Sequence, residues 1–62
     1  MEKEVIALAN RIMKVTGPLE LHELMAWISM SDESPVVDMT REQLFWMLKR
    51  LVKQGDILCE PQ

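Results

Sequence analysis

Only one cysteine and one histidine occur among the 62 residues, there is no tyrosine, and there are just two glycines. Each scarcity removes a class of chemistry. Cys59, standing alone, can form neither an intrachain disulfide nor a cysteine-based zinc cluster. His22 has no second imidazole to share a metal with. Gly17 and Gly55 are too far apart for a glycine-rich phosphate loop, and both read as helix stops. No Ser/His/Asp or Cys/His arrangement suited to nucleophilic catalysis is present, and no run approaches the ~18 apolar residues of a membrane span. The expectation is a protein that is not an enzyme, with no catalytic residues, metal, cofactor or small-molecule substrate, and no place in a membrane. The start, Met1-Glu2-Lys3-Glu4, is charged and leads into an amphipathic stretch, unlike the basic start and apolar run of a signal peptide. A cytoplasmic location is expected.

What is present is enough for one core. Hydrophobic residues are 48% and charged residues 27%, close to globular averages. A chain this short hides about 60% of the surface it exposes when unfolded, so residues 1–62 are expected to make a single small domain. The six methionines suit an adaptable core or interface.

Apolar spacing sets out three helices. Val5, Leu8, Ala9, Ile12 and Met13 form one stripe, predicting a helix over about Glu2 to Val15 that ends at Gly17-Pro18. Leu19-Glu20-Leu21 alternates and predicts a short strand. A second helix, about His22 to Ser29, would bury Leu21, Leu24, Met25 and Ile28. The segment from Ser31 to Asp38 reads as a loop. Thr40-Arg41-Glu42-Gln43 is a capping box, and Met39 can staple onto Leu44, which starts a third helix at Arg41. Gly55 ends it after Gln54. Its core stripe is Leu44, Met47, Leu48, Leu51 and Val52, with Phe45 at the edge. Ile57-Leu58-Cys59 suits a second strand, and pairing with Leu19-Leu21 would satisfy the backbone groups of both.

This order resembles the winged-helix branch of the helix-turn-helix superfamily. The resemblance is carried by Thr16-Gly17-Pro18-Leu19-Glu20-Leu21-His22-Glu23-Leu24, which looks like the family's strand leading into its second helix. It is carried also by Leu48-Lys49-Arg50-Leu51-Val52-Lys53-Gln54-Gly55-Asp56-Ile57-Leu58, which looks like a recognition helix entering the wing. The implied fold is mostly α: a three-helix, winged-helix-like domain with a small two-stranded β element. The residues after Cys59 leave room only for an abbreviated or absent wing. The Met30–Met39 connection is longer than the tight turn of DNA-binding members, and it brings Asp32, Glu33 and Asp38.

Charge is uneven around a net −3. Residues 1–39 set three cations against seven acids, whereas residues 40–62 set Arg41, Lys49, Arg50 and Lys53 against three. On a helical wheel with Leu44 at zero, the core stripe centres near 20°, while Lys49, Glu42, Lys53, Trp46 and Arg50 fall at roughly 140°, 160°, 180°, 200° and 240°. Trp46 therefore stands in the middle of the solvent face among cations. Such a face is either a solvated surface, with Trp46 folded back over aliphatic stems, or a contact surface. As a contact surface it could stack on a base, reach a groove or anchor a protein. Lys49 and Lys53 suit phosphate, and Arg41 or Arg50 suits a bidentate bond to guanine.

Trp27 flanks the second helix's apolar stripe and reads as core or rim. His22 reads as capping or flanking the same helix, and Cys59 as a small inert hydrophobe. Two functions follow. One is a DNA-binding regulatory protein acting in transcription or replication through its third helix. The other is a protein-interaction module that uses the same fold to dock or inhibit a polymerase or regulator. Net charge favours the second, and the Trp46-Lys49-Arg50-Lys53 face the first.

Overall fold

The computed structural model describes residues 2–31 and 38–59. Three helices follow in order, α1 (Glu2–Thr16), α2 (Leu21–Met30) and α3 (Arg41–Gln54). In α1, Glu2 and Glu4 occupy the first turn, where carboxylates face the positive end of the helix dipole, and Lys14 lies in the last. Val5, Leu8 and Ala9 are buried, while Ile12 and Met13 continue the stripe at half depth. Gly17 ends the helix. Its φ of 86° is left-handed, and its N–H donates to the Met13 carbonyl at 2.8 Å.

Between α1 and α2 the structure departs from the expected strand. Glu20 is extended (φ −78°, ψ 167°), but it is the N-cap of α2, and its carboxylate accepts from the Glu23 N–H at 2.9 Å. Leu21 is the first helical residue. The alternation of Leu19 and Leu21, both buried, has another origin. Leu19 precedes the cap and Leu24 lies at the fourth helical position, the two places of a hydrophobic staple. Capping, and not pairing, organises this segment.

The third helix has the boundaries that its sequence predicts. The Thr40 side chain accepts from the Gln43 N–H at 3.1 Å, and Gln43 Oε1 accepts from the Thr40 N–H at 3.0 Å. Met39 packs against the core that contains Leu44. At the other end, Gly55 is left-handed (φ 87°). Its N–H donates to the Val52 carbonyl at 3.1 Å, and that of Asp56 to the Leu51 carbonyl at 3.0 Å. This pair of bonds is a Schellman motif, which satisfies carbonyls the helix end would otherwise leave open.

The chain then turns so that Ile57 is fully buried, Leu58 is exposed and Cys59 is half-buried. That alternation belongs to an extended run, yet no strand forms among the described residues. The two expected strands are therefore corrected: the first is a capped helix start, and Ile57-Leu58-Cys59 forms no strand among the described residues. The expected loop falls mainly on residues 32–37, outside those described.

One hydrophobic cluster holds the fold together. It joins Val5, Leu8 and Ala9 of α1, Leu24, Met25 and Ile28 of α2, Leu44, Met47, Leu48 and Leu51 of α3, and Ile57. Helix α2 is the central element, since it packs against both α1 and α3. Leu24, Ile28, Leu48 and Leu51 are wholly buried, each contributing ~1.5–3 kcal/mol of burial free energy. Val52 and Phe45 sit at the rim of the cluster. Glu2 and Arg50 form an ion pair that ties α1 to α3. Both partners are about half exposed, so solvent screens the pair and it contributes only ~0–1 kcal/mol.

Candidate functional site

Burying Leu44, Met47, Leu48 and Leu51 against α2 turns the opposite side of α3 to solvent. That phasing places the expected contact residues. Trp46 is 57% exposed, and Arg41, Lys49 and Lys53 are exposed. Glu42 shares the face. Arg50 is the exception. It lies toward α1, where its guanidinium pairs with the Glu2 carboxylate while staying half exposed, and Arg41, in the first turn, falls at roughly 60° on the wheel, so Trp46, Lys49 and Lys53 are the residues that share the outward face.

The indole of Trp46 is held on two sides. Phe45 meets it edge-to-face, with ring centroids 5.6 Å apart and planes at 83°. The Lys49 Nζ sits 5.1 Å from the Trp46 ring centroid and 5.7 Å from that of Phe45. These are cation–π distances, worth about 0.5–1 kcal/mol at an exposed site. Helical spacing explains both contacts, because residues three and four apart are neighbours on one face. From α2, the His22 ring lies 5.4 Å from Phe45, tilted by 33°. His22 is thus a flanking residue at the start of α2, and the capping role belongs to Glu20. The sequence reading did not join His22 to this aromatic group, since the contact depends on the crossing of two helices.

A second surface was missed. The last two turns of α1 and the end of α2 enclose an open groove of about 310 Å³, lined by Leu8, Arg11, Ile12, Val15, Thr16, Trp27 and Ser31. Trp27 is 44% exposed and forms a wall of it, with Val15 and Met30 more exposed still. Trp27 is therefore a rim residue. The available signal was Val15, which extends the stripe of Leu8 and Ile12 by another turn with nothing left on α1 to bury it.

Cys59 is half-buried. Its thiol is pushed above the usual range by desolvation first and by the negative charge of Glu20 second. Both keep it protonated and unreactive at neutral pH. Among the described residues no group of three or more His, Cys, Asp or Glu side chains could hold a metal ion, and no helix is long and apolar enough to cross a membrane. Comparison with protein-family models, curated proteins and solved structures returned no match.

Proposed function

We propose that the chain is a small, cytoplasmic, winged-helix-like regulatory protein that contacts DNA through the exposed face of α3. One observation carries the reading: a Trp that is 57% exposed stands with exposed Lys49 and Lys53 on one helix face, where Glu42 is the lone acid. An indole this open, with cations beside it, offers an apolar face for stacking or anchoring. The surrounding cations supply phosphate attraction that an acidic protein otherwise lacks.

Two phosphate contacts are few. With a slope of about −0.9 per contact, affinity should fall roughly 12-fold between 50 and 200 mM salt, against 10³–10⁵ for proteins making six to ten contacts. Titrating labelled, mixed-sequence nucleic acid across that salt range tests the reading. Lys49→Ala and Lys53→Ala should each weaken binding on every sequence and lower the slope by about one. Absence of binding at the lowest salt, where attraction is least screened, rejects it.

A second reading is favoured by the α1–α2 groove. Exposed Val15 and Trp27 along this apolar groove, with Met30 lining an adjoining pocket beside Trp27, suit a protein partner. On that reading, Trp27→Ala abolishes partner capture and leaves the fold intact, while α3 substitutions have no effect on capture.

A further inference from the structure

Resting on the nucleic-acid reading above, we infer that the α3 face takes single strands with unpaired bases in preference to a duplex. Paired bases present their edges in the grooves, and discrimination comes from bidentate partners, Arg or Lys for guanine and Asn or Gln for adenine. On α3 the forked partners, arginine and amide, are few, and Lys49 and Lys53 each offer a single ammonium with no fixed fork. The Oε1 of Gln43 accepts from the Thr40 N–H in the capping box, so the side chain cannot offer both its oxygen and its nitrogen to an adenine. Arg50 is held by Glu2. Among the arginine and amide side chains of the first three turns, Arg41 is left.

What the face offers instead is a stacking surface with a cationic track. An indole makes its strongest contact through its ring face, and the faces of bases in a duplex are covered by their neighbours. Single strands expose them, and every base has one, so stacking is tolerant of sequence. Trp46 is steadied for this role by the perpendicular ring of Phe45 and the ammonium of Lys49, while more than half of its surface stays open. Holding the ring in place beforehand lowers the ordering cost on binding. Lys49 and Lys53 follow one turn apart, about 6 Å along the helix axis, and continue from Trp46 toward the C-terminal end. Glu42 lies one turn to the other side and repels phosphate there. The strand therefore runs over the Trp46–Lys53 half of α3, where the two lysines outweigh the weak negative end of the helix dipole.

The test uses the full chain carrying Trp27→Phe, so that Trp46 is the lone indole. Probes are oligodeoxythymidylate of about 16 nucleotides, the upper site size for a small single-strand binder, oligouridylate of equal length, and a mixed-sequence duplex. At ~50 mM salt, a range where charge is weakly screened, one or both single strands should quench Trp46 emission and bind at least tenfold tighter than the duplex. Trp46→Leu should weaken single-strand binding roughly 5- to 150-fold with an unchanged salt slope, and Trp46→Phe should restore most of it. Circular dichroism checks that each variant is folded. Duplex bound as tightly as the single strands, or single-strand affinity indifferent to Trp46→Leu, overturns this inference and leaves the nucleic-acid reading standing. Failure of all three probes to bind overturns both.

Discussion

Gly17 and Gly55 offer a controlled test of what ends the helices. Both have φ near +87°, and a Cβ built on either meets no heavy atom within 4 Å. Alanine therefore introduces no clash at either site, and the cost is conformational alone. Placing an L-residue in the left-handed region costs ~1–2 kcal/mol. Part of this is offset, because alanine stiffens the unfolded chain and so favours folding by ~0.4–1 kcal/mol. The net loss should be about 1 kcal/mol, equal at the two positions within experimental scatter. For a domain of this size that corresponds to a melting temperature lower by about 4–8 °C. Thermal unfolding followed by far-ultraviolet circular dichroism measures it. Gly55→Asn should lose less than Gly55→Ala, because Asn tolerates the left-handed region better. A loss above ~3 kcal/mol at either glycine would exceed the left-handed penalty and refute the claim of open space. No loss at all would mean that the helix ends without the left-handed turn.

Three further outcomes are expected. Thr40→Ala should lower stability by ~1 kcal/mol by removing the acceptor for the Gln43 N–H, and an unchanged melt would show that the box does not hold in solution. Leu48→Ala should cost roughly 2–5 kcal/mol, most of what a domain this small has; a variant with the parent's melting temperature would mean that α3 is turned differently against α2. The Cys59 thiol should reach half its maximal alkylation rate above pH 9.0, the ordinary value, and return to it in denaturant. Because the folded-state value is the raised one, the stability this thiol contributes is full below pH 9.0 and is lost as pH climbs through the folded value. Cys59→Ser should remove that alkaline loss, whereas a rate profile unmoved by denaturant would place the thiol in solvent.

Local signals in the sequence were strong where side chain and backbone speak to each other within a few residues. The box at Thr40, the stop at Gly55 and the 3.6-residue stripe of Leu44, Met47, Leu48 and Leu51 define α3, and its phasing in turn points Trp46, Lys49 and Lys53 outward. The stretch Leu19-Glu20-Leu21 misled because a staple followed by a first helical residue repeats the in–out–in pattern of a strand. Nothing local separates the two until Glu20 is seen to cap the helix. Ile57-Leu58-Cys59 has the alternation of a strand, and whether it finds a partner is a tertiary matter. The same limit hid the pairing of Arg50 with Glu2, which lies 48 residues away. It also hid the approach of His22 to Phe45 and the groove beside Trp27, which arise where helices cross.

Helix α2, wedged between its two neighbours, has a consequence for how the contact face could be borrowed. A peptide covering Arg41 to Gln54 would carry Trp46 and both lysines, yet isolated helices of 14 residues are marginal in water. Its four buried side chains, Leu44, Met47, Leu48 and Leu51, would have lost the apolar surface that keeps them ordered. Its indole would sample many orientations, and its lysines would no longer be aligned. Such a peptide should be a poor mimic and a poor competitor, however faithful its sequence. Transplanting the face means carrying α2 with it, together with Ile57, the buried residue just beyond the helix end.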